Sequence, residues 1–407
     1  MFRPGPVSTR TERMLPAARR VTMKTVPKNA NDDLKRRPAM NDQTPCAGPG
    51  AVPGLPYDEA LFRQLIEAPG APGFEGEVRR VVEAALAGAA DRMIRDRLGS
   101  LFGVLDGPEG GPTVMVAGHL DEVALMVTEV TDDGLLKVTA LGGFYEPVLL
   151  AQRVFVLGRN GAVPGVIGAP PPHGLSEEAR REAPQLERMF VDVGAASRED
   201  VRAFGIRPGD PVVFPGVYTP SWSGRRVLAK AWDNRFGVGL AVELLRALRD
   251  RPRVNTVVAG ATVQEEVGLR GAETAARLVR PDVFFSLDAG PAGDMPGGSG
   301  LGRLGGGVLM RVMDRTMVTH RRLLDYLLDL AEAEGIPYQF FVSRGGTDAG
   351  RVHTMGIGVP SAVIGIPARY IHGPVAIIDL DDYRAAKRLL IAAVSRLDRA
   401  TLEAIVG

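Results

Sequence analysis

The chain is short of several things, and each shortage removes a class of answer. It has one cysteine, Cys46, in 407 residues, so no intrachain disulfide can form, and a reducing, cytoplasmic setting fits that usage. No run of about 18 apolar residues occurs, so no membrane-spanning helix is expected. The start of the chain lacks the apolar core of a secretory signal. The formal net charge is only +1, which gives no global electrostatic case for nucleic acid. What remains, 45% hydrophobic and 24% charged residues, is an ordinary enzyme-like composition, and the length suggests more than one domain.

A local excess of positive charge stands before position 40. Arg3, Arg10, Arg13, Arg19, Arg20, Lys24, Lys28, Lys35, Arg36 and Arg37 are opposed only by Glu12, Asp32 and Asp33. Residues 1–55 read as a disordered N-terminal extension, or as coding sequence upstream of a start at Met23 or Met40. A targeting or nucleic-acid-binding arm is the competing reading. Cys46–Pro56 is rich in Gly and Pro and reads as a linker.

From Tyr57 the pattern becomes regular. Asp58–Ile66 and Gly76–Ala87 have helical apolar spacing, separated by the loop APGAPGFEG. Thr113–Ala117 is a short apolar run that suits a strand buried on both faces. Short strands then follow at Val123–Val130, Leu135–Ala140, Arg153–Leu157, Ala162–Gly168, Met189–Val193 and Pro211–Phe214, divided by Gly/Pro turns. Helix–strand alternation returns with a helix over Phe236–Arg249, a strand over Thr256–Val263 and a helix over Gly271–Val279. It continues with strands at Val283–Leu287, Gly307–Met313 and Ser361–Ile366, and helices at Arg321–Glu334 and Asp381–Leu397. The expected fold is an α/β domain (residues 56–122 and 217–407) interrupted by a small β-barrel-like insertion (residues 123–216).

Five segments carry residues suited to metal: AGHLDE, AWDNR, QEEVG, SLDAG and RYIHG. They supply His119, Asp121, Asp233, Glu265, Glu266, Asp288 and His372. Imidazoles and carboxylates together suit divalent ions such as zinc, cobalt or manganese. His119 follows a buried strand and can ligate directly, while Asp121 can accept the other ring N–H and fix the tautomer. Asp233 has two oxygens and can bridge two cations, or cap the helix that follows it. Glu265 and Glu266 are consecutive, so in extended chain they point to opposite sides; one can ligate while the other faces an attacking water. Asp288 and His372 also follow predicted strands. GGTDAG (Gly345–Gly350) reads as a tight loop whose Thr347 and Asp348 can bind substrate, organise the cleft or simply form a turn. His173, His320 and His353 find no partner and read as structural or exposed.

In this order, HLDEV, GGF, AWDNR, QEEVG, GGTDAG and IPARYIH resemble the glutamyl/deblocking aminopeptidases, dinuclear metallopeptidases some of which carry the label endoglucanase. The resemblance runs from about Tyr57 to the C-terminus. It implies a phosphorylase/hydrolase-like α/β catalytic domain with an inserted β-barrel-like dimerisation domain. It further implies two divalent metal ions, zinc or cobalt first and manganese also acceptable, bound by His119, Asp233, Glu266, Asp288 and His372. By that resemblance Asp233 bridges, His119 and Glu266 serve one metal, and Asp288 and His372 serve the other. Glu265 becomes the general base, and Asp121 orients His119. The implied partners are peptide substrates and further copies of the chain, from dimer to dodecamer, with neither membrane nor nucleic acid. The chain departs from the family pattern at Ala124, where glycine is usual, and at Met295 and Ala368, where threonine is common; none removes a ligand. Two other readings stand beside this one: another peptidase or amidohydrolase reaction on the same cleft, and a non-catalytic metal-stabilised scaffold. The order of motifs favours a metal-dependent aminopeptidase that hydrolyses N-terminal peptide bonds.

Overall fold

The computed structural model describes residues 57–169, 171–177, 181–298 and 300–407. The expected extension, residues 1–55, and Cys46 within it lie outside the described residues.

Helix α1 (Glu59–Glu67) starts where Asp58 accepts the Leu61 N–H at 3.0 Å, a favourable helix cap. It buries Leu61, Phe62, Leu65 and Ile66 along one stripe. Helix α2 (Gly76–Leu86) does the same with Val78, Val82 and Leu86. Strands β1 (Arg92–Arg95) and β2 (Leu101–Leu105) pair antiparallel. Strand β3 (Thr113–His119) is buried from Val114 onward, so His119 is itself the last residue of a core strand.

The insertion is a closed barrel. It uses β4 (Ala124–Val130), β5 (Leu136–Leu141), β6 (Arg153–Gly158), β7 (Gly161–Ile167), β8 (Phe190–Asp192) and β9 (Pro211–Val213), closed in the order β4-β5-β8-β7-β6-β9. A short helix α3 (Arg198–Ala203) lies between β8 and β9 in the chain. Alternate residues such as Leu125, Val127, Leu136, Val154, Val156 and Val191 fill its interior, the pattern a two-residue side-chain period requires.

The chain then completes the larger layer with β10 (Thr219–Pro220), β11 (Arg226–Ala229), α4 (Trp232–Leu248), β12 (Thr256–Thr262), α5 (Arg270–Val279) and β13 (Val283–Pro291). Next come β14 (Val308–Met313), α6 (Arg321–Ala333), β15 (Tyr338–Val342) and α7 (Asp348–Val352). Strands β16 (Ser361–Arg369) and β17 (Ala376–Asp379) and helices α8 (Leu380–Arg396) and α9 (Arg399–Val406) finish it. The sheet runs β1-β2-β12-β3-β13-β16-β17-β11-β10, with β14 joining β16 to β15. Its centre, β12-β3-β13-β16, is parallel, and those strands are apolar on both faces, as a sheet covered on both sides demands. This is the expected mixed α/β layer interrupted by a barrel. GGTDAG is less of a loop than its composition suggests, because Asp348 opens α7.

Helix α4 lies directly on the sheet. A Cβ at Gly118 would stand 2.6 Å from the Gly237 carbonyl carbon and the Val238 nitrogen, so only glycine permits that approach. No helix among the described residues is long and apolar enough to cross a membrane.

Candidate metal centre

The carboxyl ends of the parallel strands converge, as they do wherever an open α/β sheet binds ligand. His119 ends β3 and pairs in register with Thr262, the last residue of β12. Two residues past Thr262, Gln264 takes a left-handed φ of 55°. That reversal turns the chain so that Glu265 and Glu266 face the end of β3. Asp288 lies within β13, opposite Gly365 of β16. His372 follows β16 and has φ 57°. Asp233 sits in the first turn of α4, where it and Asn234 leave helical geometry and the peptide bond between them is cis. Asn234 secures that turn by donating to the Leu287 carbonyl at 2.5 Å and accepting from the Gly237 N–H at 3.0 Å.

Asp233 is the middle of the cluster. Its Oδ1 lies 3.1 Å from His119 Nε2, and its Oδ2 lies 3.4 Å from His372 Nε2. His372 Nε2 is also 3.5 Å from Glu266 Oε1, and His119 Nε2 is 3.9 Å from Glu265 Oε2. Ligand atoms of His119, Asp233 and Glu266 lie within 4.8 Å of one another, and so do those of His119, Glu265 and Asp288. The Nδ1–H of His372 donates to the Gly143 carbonyl at 2.8 Å, so Nε2 is the nitrogen that faces the cluster and would ligate once it gives up its proton. That carbonyl comes from GGF, just beyond β5 of the barrel. Gly142 is equally close-set: a Cβ there would meet Glu266 Oε2 at 3.2 Å.

Asp121 reaches His119 by a different route from the expected one. The Nδ1–H of His119 donates to the Asp121 backbone carbonyl at 3.0 Å, and the carboxylate Oδ1 is 3.6 Å away. The Asp121 carboxylate instead accepts two backbone N–H groups, Glu265 on Oδ1 and Glu266 on Oδ2, each at 3.0 Å. It therefore ties the tip of the β12 loop to the tip of β3.

The electrostatics explain what such a cluster lacks. Burial pushes Glu265 well above the usual carboxylate range; His119 opposes this, and Glu266, Asp288 and Asp348 add to it. Burial, with the charge of Asp233, does the same to Asp288. Glu266 is pushed up to about 7 and Asp348 to about 6, both chiefly by burial. His119 would be lowered by burial, but the charge of Glu265 and bonds to Asp121 and Asp233 carry it well above its ordinary value. His372, similarly opposed by burial, rises to about 10 through Asp233 and Glu266. Burial would raise Asp233, yet its bonds from His119 and His372 hold it well below the carboxylate range. Glu266 Oε1 is buried without a hydrogen-bond partner. The site thus gathers more negative charge than its own imidazoles balance, on oxygen and nitrogen donors that suit a divalent cation.

Asp348, behind His119, accepts the Thr262 hydroxyl on Oδ2, while its Oδ1 and the Thr347 hydroxyl are buried without partners. His173, His320 and His353 are not among the clustered residues; the ring of His353 is bonded to the Ala349 carbonyl at 3.1 Å. Sequence reasoning missed Arg311, a buried cation paired with Asp314 at 3.2 Å. It lines a cavity of about 980 Å³ that opens from Asp233, Glu265, Glu266, Asp288 and His372. It also missed Glu75, in a stretch read only as loop, whose Oε1 accepts the Gln264 N–H at 3.2 Å. Neither has a local signature, since each acts through space.

Fold and centre together define a metal-dependent hydrolase on a mixed α/β scaffold. The family model for the M42 glutamyl aminopeptidases matches residues 99–389. The chain is 36% identical over 339 residues to the glutamyl aminopeptidase of Lactococcus lactis subsp. cremoris, spanning 83% of this chain and 95% of that one. A crystal structure of a TET aminopeptidase from the marine sediment archaeon Thaumarchaeota archaeon SCGC AB-539-E09 superposes with a TM-score of 0.83 at 39% identity, over 85% of this chain and 98% of that one. The TET1 peptidase of Pyrococcus horikoshii, which can assemble into a tetrahedron or a large octahedral shell, does so with 0.75 at 29% identity, over 83% and 99%. The chain belongs to the M42 glutamyl aminopeptidase family, and metal-dependent aminopeptidase activity is the class of reaction that membership assigns.

Proposed function

We propose that this protein removes N-terminal residues from peptides with two divalent ions held around Asp233. The observation that carries the reading is the reach of that one carboxylate: its two oxygens face two different imidazoles, at 3.1 and 3.4 Å. The same distances favour a division of ligands other than the one the resemblance suggested. Glu266 lies against His372 at 3.5 Å, so these two belong with one ion. His119 clusters with Glu266 as well as with Asp288, but with Glu266 set beside His372, Asp288 is the carboxylate that would share the other ion with His119. Zinc and cobalt suit this donor set best, with manganese acceptable. When bound, such ions polarise a scissile carbonyl and lower the pKa of an attacking water.

The chain's own residues supply the rest. Glu265 is the general base: it takes the proton from the attacking water and returns one to the leaving amine. Asp121 keeps it in place by holding its backbone N–H. Gly143 fixes the tautomer of His372 through its carbonyl. The cavity beyond the cluster, with Met295, Leu301, Arg311 and Phe341 on its walls, receives the peptide. The shells formed by the TET1 relative support a homo-oligomer, in which the resemblance makes the barrel the dimerisation domain.

The test is a panel of aminoacyl-nitroanilides, assayed with and without chelator, beside a metal analysis. Chelator-sensitive release, restored by zinc or cobalt, is expected. Glu265→Gln should keep the metal content and lose about 10²–10⁴-fold in turnover. Full metal content with no release from any free-amine substrate would favour a different amide substrate and overturn the aminopeptidase reading.

A further inference from the structure

Three consecutive amides carry the loop that presents Glu265, and all three are held by carboxylates from outside it. The Glu265 and Glu266 N–H groups are taken by Asp121. The third, Gln264 N–H, donates to Glu75 Oε1 at 3.2 Å. Glu75 comes from the loop ahead of α2 and is 3% exposed. The same oxygen accepts the Gly73 N–H at 2.8 Å. Although Glu75 stands at the N-cap position of α2, its side chain makes no cap bond there. It is turned toward Gln264 instead.

Gln264 needs such a partner. Its φ of 55° is a left-handed conformation that a residue with a Cβ adopts only at a cost, and its half-buried N–H loses a partner when Glu75 is removed. On its other side the loop is closed by its own backbone. Arg270 N–H donates to Gln264 O at 3.2 Å, and Gly268 and Leu269 donate to Glu265 O at 3.0 and 2.9 Å. Glu75 thus fixes the one residue whose reversal decides where Glu265 points.

We infer that Glu75 is a positioning residue for the general base: it touches no substrate, but sets the angle of Glu265 through the Gln264 amide. This rests on the assignment of Glu265 as base. Because a single oxygen makes both bonds, Glu75→Gln can still accept them, whereas Glu75→Ala cannot.

The experiment compares metal-loaded wild type, Glu75→Ala and Glu75→Gln in two readouts. In hydrogen exchange, Glu75→Ala should speed the Gln264 amide by about tenfold or more, with β12 and α5 unchanged. In steady-state kinetics its kcat should fall about tenfold, or ~1.4 kcal/mol of barrier, with KM and metal stoichiometry within about twofold. Glu75→Gln should keep at least about half of kcat and the slow Gln264 exchange. A merely structural residue would lower metal content or melting temperature without splitting kcat from KM. Unchanged Gln264 exchange in Glu75→Ala would overturn the inference, and so would faster exchange with unchanged kcat or equal kcat losses in both variants. If Glu75→Ala fails to fold, Glu75→Gln decides the matter: kcat and Gln264 exchange must both stay near wild type. Wild type inactive on every aminoacyl substrate would sink the aminopeptidase reading, while exchange would still decide whether Glu75 holds the loop.

Discussion

Beneath the metal centre lies a buried charge cluster of unequal sign, and its response to mutation should be lopsided. Glu122 Oε1 accepts from Lys230 Nζ at 2.6 Å, Arg235 Nη2 at 3.3 Å and Gly70 N–H at 3.1 Å. All three charged side chains are buried. One anion therefore serves two cations. Glu122→Gln leaves Lys230 without its counter-charge and Arg235 with only the weaker pull of Asp121 and Glu75, a change expected to cost about 3–5 kcal/mol. Lys230→Met leaves Glu122 matched one to one with Arg235 and removes the desolvation cost of an ammonium, so stability should stay within about 1 kcal/mol of wild type. Urea titration followed by fluorescence reads this directly. The chain has two tryptophans, of which Trp232 is fully buried two residues from Lys230 and Trp222 is 92% exposed. The change on unfolding therefore reports Trp232. A pH series adds a signed check. Burial, opposed by Glu122, depresses Lys230 below its ordinary 10.5. Between the folded and unfolded values the unfolded chain binds more protons, so wild-type stability should rise with pH in that window. Lys230→Met should lack that rise. A loss of about 3 kcal/mol or more in Lys230→Met would refute the reasoning, since it would make the lysine as necessary as the glutamate.

Other outcomes follow from single contacts. Gly118→Ala should cost about 1–3 kcal/mol of stability by overpacking and lower kcat as well, because the clash pushes α4 and its Asp233; denaturation and kinetics on the same sample check both. Asp58→Ala should lose about 1 kcal/mol at pH 7 through the missing cap. Burial would raise Asp58, but bonds from Leu61 N–H and Arg246 outweigh it and hold it below 3.8. Its contribution is therefore present above that value and lost as pH falls through the folded one. Wild-type and variant melting curves should accordingly converge in acid.

The sequence made the central strands legible because β3, β12, β13 and β16 are apolar on both faces, and a run such as TVMVA can hardly be anything else. It hid β1, whose RMIR is mostly exposed, and β15, where only Phe341 is buried. Edge strands bury too little to write a pattern. Helix α4 begins at Trp232, ahead of the Phe236 that apolar spacing suggests, because Asp233 and Asn234 break helical geometry inside it and side-chain bonds replace the backbone ones. The cluster itself was legible for a topological reason: its residues follow the apolar runs that bring them together. Glu75 meets Gln264 across 189 positions, and no local pattern encodes such a meeting.

The contribution of the barrel to His372 bears on how far this chain could be trimmed. A shortened version that ran from Glu122 straight to Val217 would keep every residue proposed to bind metal. It would still lose the Gly143 carbonyl that faces His372 Nδ1 and the Gly142 backbone packed on Glu266. The ring could then turn over or change tautomer, and one carboxylate would gain room to swing. The insertion is part of the same instrument as the sheet it interrupts, so neither can be borrowed alone for use in another protein without giving up the backbone that holds His372 and Glu266.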